Sequence, residues 1–243
     1  MLKRLREAQL IWPSLMTLAA LGVLISLGTW QVQRKVWKDG LIASIQARVG
    51  EPPVALEEPA DAWITLGEQE YRPVLVTGRF RHGDERHLFA VENGEPGWHV
   101  LTPLETARGH IVLVNRGFVP EALKDAAKRT AGQVEGPVTM VGLVRHADTK
   151  GTFEPDPDLK RNMWFWRDLP AMAASVGLAG ADKHVLPFLV DARAEPANLG
   201  GWPRGGTTRL EISNRHLEYV LTWYGLAVTL LAVFLAYAVP RLR

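Results

Sequence analysis

The sequence predicts a membrane protein in which two transmembrane helices flank a β-rich (α+β) extracytoplasmic domain, folded as an antiparallel sheet or a partly closed barrel with short helices. Three observations carry that prediction. Leu10–Trp30 and Tyr219–Val239 are charge-free apolar runs, and the second, at 21 residues, is long enough to cross a bilayer as a helix. The stretch between them is polar and is broken into short alternating or β-branched runs by Gly, Pro and Asn. Of the 243 residues 47% are hydrophobic, so one or two domains have apolar material for a real core after the two runs are set aside.

The first run lies inside a charge-free window from Ala8 to Gln33. Its length favours a spanning helix over a cleaved signal, whose apolar region is about 7–15 residues, and its exit, Gly28-Thr29-Trp30-Gln31, lacks a small-residue cleavage pattern. The expected division is residues 1–9 as a cytoplasmic tail, 10–33 as the first helix, and 34–62 as a juxtamembrane segment and linker. The β-rich domain follows at 63–212, the second helix at 213–239 and a second tail at 240–243. Two spans place both termini on one side. Lys3, Arg4, Arg6, Arg241 and Arg243 favour the cytoplasm for that side, while Arg34, Lys35, Lys38 and Arg215 flank the opposite ends. Long loops are largely exempt from the positive-inside rule, so the tails decide. The short stretch before the first span leaves no room for a transit peptide, and the expected location is a bacterial inner membrane.

Within the middle, residues 50–62 are rich in Pro and Glu and read as a linker. Tyr71–Phe80 alternates Val74, Val76 and Phe80. Arg86–Val91 and Trp98–Leu104 are separated by the turn signals Asn93-Gly94 and Pro96-Gly97, and His110–Phe118 carries Ile111-Val112-Leu113-Val114. Pro137–Arg145 and His184–Ala192 are further strands, and close spacing through Gly-containing turns favours antiparallel pairing. Glu121–Arg129 is expected as a short surface helix. Asp168-Leu169-Pro170 opens another that Gly177 closes. Residues 147–161 and 194–207 are expected to be loops.

The absence of Cys removes disulfides, thiol nucleophiles and thiolate metal sites. A formal net charge of +2, with no basic patch interleaved with aromatics, argues against nucleic acid. No Gly-x-Ser-x-Gly, His-Glu-x-x-His, phosphate-loop or dinucleotide fingerprint occurs, so no enzymatic site is expected, a hydrolase assembled from scattered residues being the reading that remains. His146-Ala147-Asp148 reads as solvated surface. His82, His87, His99, His110 and His184 read as structural or packed, and Trp164-Phe165-Trp166 as packing. The chemistry gathers at the entry to the second span. At about 100° per residue, His216, Tyr219, Val220, Trp223 and Ala227 share a face that begins with an imidazole at the membrane boundary. An ionisable group at that depth is a functional candidate, yet His216, Tyr219 and Trp223 also suit an interfacial aromatic belt; spacing does not separate the two. Gln31, Arg34, Lys35 and Lys38 recur at helical spacing past the first span, either as snorkelling side chains or as a cationic rim for an anion.

The pattern of blocks resembles the surfeit locus protein 1 family. Leu27-Gly28-Thr29-Trp30-Gln31 with Arg34 and Lys38, Tyr71-Arg72-Pro73 through Gly78-Arg79-Phe80, and Gly97-Trp98-His99-Val100 with Thr102-Pro103-Leu104 are similar to its successive motifs. So are Val114-Asn115-Arg116-Gly117-Phe118-Val119-Pro120 and Asn214 with His216-Leu217, Tyr219 and Thr222-Trp223; Val220 stands where a small residue is usual. The resemblance covers nearly the whole chain in order. It implies a non-enzymatic cytochrome c oxidase assembly factor that binds haem a and assists its insertion into the oxidase catalytic subunit, with that subunit, haem a synthase and the lipid bilayer as partners. The family's haem-binding histidine falls on His216, whose neutral imidazole suits an axial position on iron. Tyr219 and Trp223 would then cover the macrocycle, and Arg34, Lys35 or Arg215 would meet the propionates. A haem-free scaffold that stabilises an assembly intermediate is the alternative.

Overall fold

The computed structural model describes residues 9–56, 70–178, 184–210 and 212–242, which fall into two units: residues 45–210, and the two long helices with their flanks (1–44 and 211–243). In the first unit the strands are β1 (Val54–Ala55), β2 (Pro73–Phe80), β3 (Arg86–Glu92), β4 (Glu95–Glu105), β5 (His110–Pro120), β6 (Pro137–His146) and β7 (His184–Ala192). Their order is β1-β2-β6-β7-β5-β4-β3, and β2 also pairs with β4. That last pairing, Arg79 opposite Glu105 and Phe80 opposite Leu104, closes β2, β6, β7, β5 and β4 into a five-stranded barrel with β3 outside it. The barrel is thus fully closed, and closure removes the free edges those strands would otherwise present.

Antiparallel pairing dominates as expected, with two exceptions: β5 runs parallel to β7, and β1 parallel to β2. The β5–β7 pair is sequence-distant, and the intervening chain supplies β6 and the helix α2 (Leu169–Ala174) before returning. Alternation in the sequence explains which side chains go inside. Val74, Val76, Leu104, Val112, Val114, Val144, Phe188 and Val190 form the barrel core. The opposite faces of β4, β5 and β7 send Leu101, Leu113 and Leu189 outward to Leu169 and Met172 of α2 and to Trp164. Strand β5 is therefore buried from Ile111 to Val119, which is why its sequence reads as a continuous apolar run instead of alternating.

Local chemistry places the ends. Asn93 and Gly94 both have positive φ, at 52° and 83°, and make the two-residue turn of the β3–β4 hairpin that Asn-Gly favours. Asp168 caps α2 by accepting from the Ala171 N–H at 3.0 Å, and Gly177 follows with φ +69°. Tyr71 also has positive φ, 69°, so β2 begins only at Pro73. The expected surface helix at 121–129 is instead a pair of 3-10 segments, Glu121–Leu123 and Ala126–Gly132. Asp125 stops the first by turning its own carboxylate to the Ala127 N–H, and Arg129 leaves helical φ/ψ to reach a buried carboxylate. Asp148 is not solvated surface: its carboxylate takes two bonds from the Arg167 guanidinium, at 2.8 and 2.5 Å.

The second unit holds α3 (His216–Leu242) and all of α1 (Ile11–Val49) except its last five residues, which count with the first. Both are long and apolar enough to cross a membrane, and Trp12, Met16, Leu221 and Val228 are each more than 60% exposed, a surface that suits lipid and not water. The first helix does not stop at residue 33 but runs through Arg34–Val49, until Gly50 and the Pro52-Pro53 pair prevent continuation. Residues 57–62 of the expected linker lie outside the described residues.

Candidate functional site

His216 is the first residue of α3, and its ring faces α1. Nδ1 lies 2.7 Å from Oε1 of Gln31. An amide oxygen only accepts, so Nδ1 carries the proton and the Nε2 lone pair is left outward. Among the described residues nothing bonds to Nε2. Gln31 is 8% exposed, one of the few polar side chains buried in this unit. Burial of an amide is unfavourable unless it is hydrogen-bonded, and the imidazole meets that need.

Two further contacts hold the helices together around that pair. Asn214, two residues before His216, donates to Asp39 at 2.7 Å, and Asp39 also receives Lys35 at 2.6 Å. Eight residues into α3, the Tyr224 hydroxyl meets Thr29 Oγ1 at 3.1 Å while its ring lies over Gly28, where a Cβ would stand 2.8 Å from the ring edge. Contacts from 39 to 214 and from 29 to 224 run in opposite senses along the two helices, so they pack antiparallel.

The five residues singled out from the sequence are not all brought together. His216 is seated against α1. Trp223, seven residues on and so about 10 Å along the same face, buries its indole Nε1, which has no hydrogen-bond partner among the described residues. Tyr219 is 51% exposed at the margin of that face. Arg34 stacks its guanidinium 4.0 Å over the Trp37 ring, which leaves the in-plane N–H groups open. Arg215 is turned to Glu218, with Nε at 3.1 Å and Nη2 at 2.7 Å. Gln31 is the residue that sequence reasoning passed over. It was visible only as one polar position at helical spacing with Arg34 and Lys38, and nothing in a one-dimensional pattern pairs residue 31 with residue 216.

The barrel unit has its own buried polar centre. Glu85 is 5% exposed and takes both forks of Arg129, one at 3.2 Å, together with Gln133 at 3.2 Å and Arg116 at 3.5 Å. Arg116 also donates to the Gly132 carbonyl and to Asn198, tying two loops to β5. Burial would raise the Glu85 pKa, but the neighbouring His82 ring and the hydrogen bonds and charge of Arg129 prevail and hold it at about 2. His87 is pushed down to about 4 by burial, against the pull of Glu85. No cluster of three His, Asp or Glu side chains placed to hold a metal ion occurs among the described residues.

The family model described as the SURF1 family matches residues 18–228. The chain is 41% identical over 225 residues to the SURF1-like protein of Monosiga brevicollis, covering 87% of this chain and 82% of that one. It is 42% identical over 218 residues to Surfeit locus protein 1 of Homo sapiens, covering 83% and 69% respectively. A SURF1-like protein of Drosophila melanogaster is 34% identical over 219 residues, covering 83% of this chain and 69% of the relative.

Proposed function

The chain belongs to the SURF1 family, and from that premise we propose that it is a cytochrome c oxidase assembly factor that holds haem a through His216 and passes it toward the oxidase catalytic subunit. The observation that carries the reading is the His216–Gln31 hydrogen bond. An imidazole that ligates iron does so through a bare nitrogen, and its other N–H is characteristically held by an acceptor that sets tautomer and ring orientation. Gln31 supplies that acceptor, and Nε2 is left for the iron.

The donor set fits the cargo in other respects. The unpartnered indole N–H of Trp223 on the same face offers a hydrogen bond to a polar substituent at the macrocycle edge, and the exposed apolar flanks of α1 and α3 suit a ring with a long hydrocarbon tail. Tyr219, three residues beyond His216, offers an exposed aromatic face. Arg34, three residues beyond Gln31 on α1, and Arg215, immediately before α3, carry charge for propionates. One protein ligand with an exchangeable opposite position suits a carrier, which must release what it binds. We place the chain in a bacterial inner membrane with both termini cytoplasmic and the barrel outside, receiving haem from haem a synthase; the basic tails support that orientation.

The test is to purify the full-length protein from a host that makes haem a and record its visible spectrum. Bands of a histidine-ligated haem in the wild type, lost in His216→Ala, are expected. Protein that purifies colourless yet rescues oxidase assembly in cells would refute haem carriage and leave a scaffold.

A further inference from the structure

Strand β3 is an unfinished edge. In its N-terminal half residues 163–165 pair with it in parallel: Trp164 N–H donates to the His87 carbonyl at 2.9 Å, and Phe89 N–H donates to the Trp164 carbonyl at 2.7 Å. These bonds show that His87, Phe89 and Val91 turn their backbone groups away from β4, since alternate residues of a strand face alternate sides. The next rung would join the Phe89 carbonyl and the Val91 N–H to Trp166. Instead the chain turns away, with the Asp168 N–H on the Trp166 carbonyl at 3.0 Å, to open α2. Among the described residues the Phe89 carbonyl and the Val91 N–H have no partner, and the Val91 carbonyl holds only the Arg209 side chain, at 3.0 Å.

Beside this open rung lies a cavity of about 380 Å³, walled by β3 on one side and by Arg145, Arg167 and Arg209 on the other. Its floor holds His99, Asn115 and Asp191. The carboxylates there are already engaged. Asp191 accepts from Asn115 at 2.9 Å, Thr208 at 2.7 Å and Arg145 at 3.3 Å, and Glu92 meets His99 at 3.2 Å. Among the described residues the three guanidinium groups are not exhausted: Arg145 keeps one terminal nitrogen beyond Glu70 and Asp191, Arg167 keeps one beyond Asp148, and Arg209 gives a single bond to a carbonyl. What the wall has to spare is N–H donors, so its complement is an acceptor-rich, anionic group.

We propose that this groove receives an extended acidic segment of a partner protein, which continues the ladder begun by Trp164 along β3 and sets its carboxylates against Arg145, Arg167 and Arg209. Main-chain pairing gives the register and the guanidinium wall selects the charge. The groove lies wholly within the barrel unit, so this surface stands or falls apart from His216.

The probe is a labelled pentapeptide, acetyl-Val-Asp-Val-Asp-Val-amide, titrated into the full-length protein, against its Val-Asn-Val-Asn-Val counterpart and a form N-methylated at alternate residues. The acidic peptide is expected to bind at least tenfold tighter than the neutral one, and N-methylation is expected to abolish binding. Hydrogen exchange at the Val91 amide is expected to slow about tenfold at saturation. Val91→Pro deletes the open N–H without touching the β3–β4 ladder, so it is expected to remove peptide binding while thermal unfolding stays near that of the wild type. Equal affinity for the acidic and neutral peptides, tolerance of N-methylation, or an unprotected Val91 amide would overturn the proposal. So would citrate competing as tightly as the peptide, which would make the groove a small-anion site. Should Val91→Pro not fold, the N-methylated peptide puts the same question to the unaltered protein.

Discussion

Replacing Gln31 with leucine isolates the one contact on which the haem reading rests. Leucine is close in size and suits a helix in lipid, so α1 is retained and only the acceptor for His216 Nδ1 is lost. A neutral hydrogen bond contributes about 0.5–1.5 kcal/mol net, and loss of the partner behind a metal-bound histidine typically costs about 10–100-fold in affinity. The upper end of the first range meets the lower end of the second, since tenfold is about 1.4 kcal/mol. The expected result is a dissociation constant for haem a raised about tenfold in Gln31→Leu, measured by optical titration of detergent-solubilised protein. The bound species keeps a histidine-type spectrum, because the ligand itself is untouched. Gln31→Glu, which keeps an acceptor in place, is expected to bind at least as well as the wild type. His216→Ala is expected to lose the bands altogether. A Gln31→Leu protein that binds within twofold of the wild type would show that the bond does not orient the ligand, and the reasoning from tautomer to iron would fail.

In the barrel, acid should weaken the fold in two stages. His87 is held near 4 instead of 6.5 by burial, so the unfolded chain takes up a proton first and stability falls as pH drops from about 6.5 to 4. Glu85, held near 2 against an ordinary 4.5, contributes stability above 4.5 that is lost as pH falls toward 2, a window worth about 3 kcal/mol. Denaturant midpoints measured from pH 8 to 3 check both stages, and a flat profile would contradict them. Glu85→Gln leaves Arg116 and Arg129 buried without their counter-charge, and a loss of about 3–5 kcal/mol is expected by urea unfolding. Gly117→Ala is expected to prevent native folding at growth temperature, read as loss of the cooperative melt. Gly117 has φ +119°, and a Cβ there would collide with the Arg204 carbonyl, across the bridge that ties Phe118 to the returning chain.

Elements that follow from local rules were legible in the sequence. The Asn93-Gly94 hairpin, the Asp168 cap and the strand His184–Ala192 each depend on residues within a few positions of one another. A partly closed barrel was one of two sequence expectations, but the strands that close it were not legible, because the Arg79–Glu105 and Phe80–Leu104 pairs join strands with β3 lying between them in sequence, and alternation predicts a face and not a partner. The segment 121–132 misled for a related reason. Its composition favours a helix, but Arg129 leaves helical geometry to answer a buried carboxylate 44 positions away, and that tertiary demand overrides propensity. At the candidate site His216 was singled out from a helical face and given a ligand role only by the family resemblance, whereas Gln31 and the Asp39–Asn214 link depend on which helix lies opposite.

That dependence bears on why the chain has two long helices and not one. An imidazole at the start of a helix has two tautomers and a loosely fixed ring, so aiming one bare nitrogen needs an acceptor for the other. Helix α3 offers none within reach: one turn on, positions 219 and 220 are Tyr and Val, and the nearest carboxylate, Glu218, is held by Arg215. The acceptor must therefore come from another element, and in lipid a second helix is the economical source, since its own backbone is already satisfied. A plain anchor would present an apolar side chain at that height; α1 presents a buried amide, unfavourable there unless it is hydrogen-bonded. On the proposed reading the first helix is thus part of the site as much as the second, and the Gly28–Tyr224 and Asp39–Asn214 contacts on either side keep the amide and the ring in register.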